Sequence, residues 1–145
     1  MKNYRISDNF MMSEFEVSDS YPHLVEPVPP HLQVNVLLLV CKVLQPICTK
    51  TGWRDKITSG YRPLPLNRAV GGVPTSQHVK AEAADNKFYV NGRFLSSFEV
   101  VSKVKELKLE FDQMILYPTF VHISYSKDRN RNQLLYSSSY RGKRL

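Results

Sequence analysis

The sequence predicts an α+β fold, a small antiparallel sheet flanked by helices, on three observations. One long apolar run with helical spacing lies in the first third of the chain. Short strand candidates separated by turn and loop residues fill much of the remainder. The two kinds of segment do not alternate in the β-α-β order that a parallel sheet requires. With 145 residues, 42% hydrophobic and 23% charged, the composition is that of a globular chain, and the length suits one domain over 1–145. Such a chain buries roughly two-thirds of its unfolded surface, so its core needs no disulfide or structural metal.

Residues 1–31 read as irregular, with one helical turn at Ser13-Glu14-Phe15-Glu16. Pro22, Pro27, Pro29 and Pro30 forbid regular structure there. Over 32–49, Leu32, Val36, Leu39, Val40, Val43, Leu44 and Ile47 fall mostly at i, i+3, i+4 and i+7, which is the spacing of an amphipathic to nearly buried helix. Pro30 suits its start, Pro46 should kink or end it, and Gly52 closes the segment. A short strand follows at 56–59. Residues 61–77, with Pro63, Pro65, Gly71, Gly72 and Pro74, read as a loop long enough to be functional. A strand at 83–90 leads into an Asn91-Gly92 turn toward Arg93-Phe94. Ser96-Ser97-Phe98-Glu99 has capping-box form and opens a helix to about Leu107. Strands at 111–116 and 120–125 are joined around Tyr117-Pro118-Thr119, and 134–136 offers a last strand.

Several classes are disfavoured. The longest apolar run, residues 36–41, stops at Lys42, short of the ~20 residues of a membrane span, so no transmembrane segment is expected. Met1-Lys2-Asn3-Tyr4-Arg5 leads into polar residues rather than an apolar signal core, which predicts a protein cytoplasmic as synthesised. Cys41 and Cys48 stand seven apart in the helical run. Their Cα atoms would be about 10 Å apart, beyond the ~7 Å reach of a disulfide; both read as buried thiols. The net charge is +7, and residues 127–145 carry most of it. Lys127, Arg129, Arg131, Arg141, Lys143 and Arg144 stand there against Asp128 alone. This basic C-terminal segment, expected to be flexible, could meet an anionic wall polymer, a membrane surface or nucleic acid. No helix-turn-helix, RNP or zinc-finger pattern accompanies it, so specific nucleic-acid reading is not expected.

The four histidines divide by context. His23 and His31 sit among prolines, as surface residues do. His78 closes Pro74-Thr75-Ser76-Gln77-His78, and Asp85 follows seven residues later. In 120–125, period two puts Val121, Ile123 and Tyr125 on one face and Phe120, His122 and Ser124 on the other, toward a cleft. Two imidazoles and one carboxylate, with a fourth position open, make the donor set of a catalytic zinc site. A histidine in a strand is more often structural, and spacing alone does not decide.

The block Ser59-Gly60-Tyr61-Arg62-Pro63, Leu66-Asn67-Arg68-Ala69-Val70-Gly71-Gly72, Thr75-Ser76-Gln77-His78 and Glu82-Ala83-Ala84-Asp85 resembles the zinc D-Ala-D-Ala carboxypeptidase family. That family shares its fold with phage L-Ala-D-Glu endopeptidases and the hedgehog signalling domain. The likeness continues at Phe111-Asp112-Gln113 and Val121-His122-Ile123-Ser124. It also covers Phe10, Ser13-Glu14-Phe15, Pro29-Pro30 and a helix ending Leu44-Gln45-Pro46, so it spans roughly residues 10–126.

The resemblance implies one zinc held by His78, Asp85 and His122. It implies that Arg62 reaches the substrate carbonyl or carboxylate, and that Ser76, Gln77 and Gln113 line the site. Two positions depart from the family pattern. Ala81 stands where Gly is frequent, and Thr119 stands three before the last histidine, where many members carry an acid. Tyr117 is near the position of a later acid in the Phe-Asp-Gln branch. Asp112, then Glu110, are the substitute candidates for general base. The implied function is hydrolysis of a peptidoglycan stem peptide next to a D-amino acid, of carboxypeptidase or endopeptidase type, by a monomer acting in the manner of a phage endolysin. The alternative is a catalytically impaired, zinc-containing wall or partner binding module of the same fold; a weaker third reading is polyanion binding by the basic end.

Overall fold

A computed structural model describes residues 3–145, and its central sheet is built largely from the segments that the sequence marks as strands. Before it comes a hairpin that the reading of 1–31 as irregular missed: β1 (Arg5–Ser7) pairs antiparallel with β2 (Phe10–Met11). Strands of three and two residues are too short to show a period. The hairpin and the following 3₁₀ turn, Met12–Phe15, bury Phe10, Met12 and Phe15 in the core.

The apolar run forms a continuous helical rod with three segments. α1 (Gln33–Leu39) passes into a π turn, Val40–Leu44, and then into α2 (Gln45–Thr51). Pro46 neither ends nor breaks the rod. The wide π turn directly before it makes room for the ring, and at the start of α2 its missing N–H removes no bond within that segment. Gly52, at φ 77°, ends α2 with its N–H on the Cys48 carbonyl at 2.8 Å, the left-handed cap glycine suits. By length and composition the 22 residues Pro30–Thr51 suffice to cross a bilayer, contrary to the expectation. Their apolar face is used inside the protein: Val36, Leu39, Val40, Val43, Leu44 and Ile47 lie in the core. Cys48 is buried, but Cys41 is exposed, which corrects the expectation of two buried thiols. Burial, helped by the Asp55 and Glu14 carboxylates, pushes the Cys48 thiol up to about 12.

β3 (Arg54–Ser59) is followed by α3 (Leu64–Ala69), inside the stretch expected to be loop. Pro63 and Pro65 do not exclude a helix, because both stand before or within its first turn, where no N–H is required. β4 (Ala83–Val90) turns through Asn91 and Gly92, both at positive φ, into β5 (Arg93–Phe94). α4 (Ser97–Glu106) carries the predicted capping box of Ser96 and Glu99. β6 (Gln113–Leu116), β7 (Val121–Ser124) and β8 (Gln133–Tyr136) complete the chain.

The sheet order is β3-β4-β7-β6-β8, with β5 beside β4. All pairings are antiparallel except β6–β8. The antiparallel expectation therefore fails at one edge. The chain reverses after β6 and again after β7, so β8 returns along β6 in the same direction. The α+β architecture stands.

One core position is polar without compensation. Asp55 lies on β3 at 8% exposure, and neither of its carboxyl oxygens has a hydrogen-bond partner. Burial, then the Glu14 carboxylate, raises its pKa well above the ordinary range. The folded protein thus holds this proton more tightly than the unfolded chain, so the contribution of Asp55 to stability falls as pH rises from the ordinary carboxylate range through the raised value. Asp55→Val is expected to stabilise the fold by on the order of 1–3 kcal/mol at pH 8. The gain should be smaller at pH 4, as read from thermal or denaturant unfolding at both pH values.

Candidate metal centre

The centre is assembled by strand register and one tight turn. On β4, Asp85 lies directly opposite His122 of β7, and on its other side it pairs with Ser59 of β3. The third residue, His78, comes from the turn before β4. There the Ala81 N–H bonds the His78 carbonyl and the Glu82 N–H bonds the Gln77 carbonyl. Ala81 adopts φ 58°, a left-handed conformation that glycine takes without steric cost, which explains why glycine suits this position.

The three ligand atoms form a nearly equilateral triangle. His78 Nε2 is 3.2 Å from His122 Nδ1 and 3.3 Å from Asp85 Oδ1, and His122 Nδ1 is 3.2 Å from Asp85 Oδ1. A tetrahedral ion with bonds of 2.0–2.1 Å sets its ligand atoms about 3.3–3.4 Å apart. All three residues are buried, so the donor set and its spacing fit a divalent metal. His78 Nδ1 lies 2.8 Å from the Gly60 carbonyl. That contact puts the ring proton on Nδ1 and leaves the Nε2 lone pair for the centre.

Electrostatics favour the required ionisation states. Burial opposes the charge on Asp85, but His78 and His122 outweigh it and hold the carboxyl below its ordinary range. Burial lowers the pKa of His122, keeping that imidazole neutral. Arg62 Nη2 stands 3.8 Å from Asp85 Oδ2. Its backbone N–H bonds the His78 carbonyl at 3.0 Å, which ties the arginine to one of the histidines. Gly72 is the close neighbour on the other side. A Cβ there would run into Asn67 Oδ1 and press on Arg62 Nη1, so the Gly71-Gly72 pair is more than a turn.

The centre opens into a cavity of about 660 Å³, within the roughly 300–1,000 Å³ of small-ligand sites. Arg62, Ser76, Gln77, His78, Asp85, Gln113 and His122 all line it. Tyr117, stacked on Phe120 with ring centroids 4.4 Å apart, lines it too, and burial raises its phenol pKa above the ordinary value. Arg131 completes the wall and was missed as a site residue, because in the sequence it is one charge among many in a basic tail.

Asp112 does not line this cavity. Its Oδ1 accepts from the Arg131 backbone N–H at 3.1 Å and Nε at 2.9 Å, and its Oδ2 from Arg131 Nη2 at 2.9 Å and Gln77 Nε2 at 2.8 Å. Those bonds hold its pKa down. Both oxygens are taken, and the carboxyl secures Gln77 instead of facing the ligands. Glu110 meets the Tyr125 hydroxyl at 3.4 Å, also outside the cavity lining. Thr119 lines a second, smaller cavity that shares Arg62 and Asp85. Among the described residues, Asp85 is the only carboxylate on the wall of the main cavity.

A buried His-Asp-His triad with one side open to a cleft and an arginine beside it defines a metal-dependent hydrolase. The chain belongs to the peptidase M15 family, whose model matches residues 9–124 and so contains the triad and Arg62. Peptidases of this family are zinc-dependent. No curated protein matches the chain.

His122→Ala is expected to bring bound metal well below one per chain after dialysis against metal-free buffer, measured by elemental analysis. Because His122 sits opposite Asp85 on the central strands, circular dichroism should accompany it to show that the sheet is intact.

Proposed function

We propose that this metallopeptidase hydrolyses a peptide bond next to a D-amino acid in peptidoglycan stem peptides, with one zinc held by His78, Asp85 and His122. The observation that carries the reading is the triangle of donor atoms at 3.2–3.3 Å on the floor of a peptide-sized cleft. Zinc, when bound, polarises the scissile carbonyl and lowers the pKa of water at its open position toward ~7.

The remaining work falls to the protein. Arg62 keeps its positive charge at neutral pH even though burial lowers its pKa, the Asp85 carboxylate opposing that fall. It is placed to stabilise an oxyanion or clamp a carboxylate. Tyr117 stays protonated and offers a hydrogen-bond donor on the same wall. Ser76 and Gln113 line the peptide path, and Gln77 is fixed in it by Asp112, which serves as a positioning residue rather than a base. On this reading 1–145 acts as a single monomeric domain. The lysis role, in which the chain leaves the cytoplasm and its basic segment is drawn to an anionic wall polymer, belongs to the proposal and rests on the resemblance and the charge distribution.

A second reading has its own support. Among the described residues the cavity wall carries no carboxylate besides Asp85, so the usual proton acceptor is lacking there. A wall-peptide binding module that keeps its metal but turns over slowly would look the same.

Purified protein incubated with intact cell walls decides between them. The peptidase reading expects new amino groups to appear, and their release to stop with a chelator and resume with zinc; none at full zinc occupancy establishes the binding module. Arg62→Ala should lower kcat by about 10²-fold or more at unchanged metal content, in steady-state assays on a D-Ala-D-Ala peptide. A normal rate in that variant would remove Arg62 from the chemistry.

A further inference from the structure

We infer that Arg131 is a substrate-recognition residue that selects peptides carrying a carboxylate on the residue beside the scissile bond. The inference rests on the peptidase reading above and names the substrate chemistry of that same cleft. Arg131 lies beyond residues 9–124, so the family match says nothing about it. It is nevertheless part of the cavity wall, together with Thr75, Ser76, Gln77 and Gln113.

Its guanidinium is held in place. Asp112, itself 3% exposed, grips Nε and Nη2 side by side, a two-point pairing that fixes the plane of the group. The chain around it is pinned as well. The Asn132 N–H bonds the Phe111 carbonyl, Asn132 Oδ1 accepts from the Phe111 N–H, and the Gln133 N–H bonds the Asp112 carbonyl. One arm, Nη1, has no partner among the described residues, and the side chain remains 43% exposed. An arginine immobilised on one edge, with a free arm beside a cavity, is prepared for a planar anion.

The charge of the cavity wall points the same way. Among the described residues Arg62 and Arg131 are its cationic side chains, Asp85 is its one carboxylate, and Asp85 belongs to the triad. With a divalent ion in place, the cavity is strongly positive. Asp112 neutralises part of Arg131 but stands behind the wall rather than on it. A neutral peptide gains nothing from this field, whereas a peptide with a carboxylate near the scissile bond does. Arg62 stands beside Asp85 and Asn67 at the centre itself, and Arg131 is the second cation of the same wall, available to a group away from the reacting bond.

Two carboxylates offer the same chemistry: the α-carboxylate of a C-terminal residue, as in D-Ala-D-Ala, and the side-chain carboxylate of an acidic residue, as in L-Ala-D-Glu. The test uses zinc-loaded protein and non-cleavable peptides with a ketomethylene group in place of the scissile amide. Each acid is titrated beside its carboxamide twin. Wild type is expected to bind at least one acid on the order of tenfold more tightly than the matching amide. Arg131→Gln should erase that difference, leaving acid and amide bound alike, and Arg131→Lys should restore part of it. Which acid shows the effect identifies the source. The inference is overturned if wild type prefers neither acid, if the preference survives in R131Q, or if R131Q weakens acid and amide alike, the mark of a structural role. The comparison of acid with amide on wild type needs no variant and holds even should R131Q not fold. Hydrolysis of ordinary amide substrates, assayed in parallel, tests the peptidase reading separately, because binding preference does not require turnover.

Discussion

Two imidazole nitrogens and a carboxylate oxygen held at 3.2–3.3 Å from one another are the constraint on which the rest of the structure depends. Three lone-pair donors packed this closely, away from water, repel unless protons or a cation stand between them. Strand pairing imposes the arrangement. Asp85 and His122 are direct partners across β4 and β7, and a slip of one residue would turn one of them to the opposite face. Central strands fixed on both sides do not slip easily: Asp85 is also paired with Ser59 of β3, and His122 with Ile115 of β6. The centre therefore inherits its precision from the sheet.

The third ligand lacks that support and receives another kind. His78 is placed by the Gly60 carbonyl on its ring and by the Arg62 N–H on its own carbonyl. The tie at Gly60 is possible because the backbone of Phe15 packs where a side chain at 60 would stand. The N-terminal hairpin and 3₁₀ turn, far from the site in sequence, thus help to set the histidine. The same backbone run that holds His78 carries Arg62, so ligand and arginine are positioned as a unit. Asn67 on α3 braces the arginine at 3.4 Å, and Gly72 leaves the room that Asn67 needs.

Much of this was legible in the residues, in proportion to how local its cause is. Period two marks β7 and the cleft-facing side of His122, Asn91-Gly92 marks the hairpin after β4, and Ser96 with Glu99 marks the start of α4. Each of these signals is complete within a few neighbouring positions. α3 is hidden because a segment with Pro63, Pro65, Gly71, Gly72 and Pro74 has the composition of a loop, although the first turn of a helix tolerates proline. The π turn that carries the chain past Pro46 and the parallel return of β8 depend on what packs beside them, and no local pattern records it. For the site, the resemblance implies His78, Asp85 and His122 as a donor set but not which of their atoms face one another. His78 uses Nε2 and His122 uses Nδ1, a choice made by the second partner of His78 and by strand geometry. Asp112 shows the limit most clearly: the resemblance makes it the candidate base, and only its four bonds reveal that the carboxyl holds Arg131 and Gln77.

Those four bonds also change what the C-terminal segment means. A run of six basic residues with one acid invites a reading as a solvated, polyanion-seeking tail. Yet β8 adds a strand to the sheet beside β6, and Arg131 just before it locks Asp112, which in turn locks Gln77 at the cavity wall. The chain of contacts runs from a segment outside the family match into the heart of the cleft. Were the basic residues there only for long-range attraction, their exact positions would matter little and a buried carboxylate would have no reason to meet one of them in two-point geometry. A buried Asp112 without its arginine would carry an uncompensated charge, so the segment and the cleft are mutually dependent. The general electrostatic attraction of the tail and the specific placement of Arg131 are separable properties, one set by charge number and the other by the register of β8.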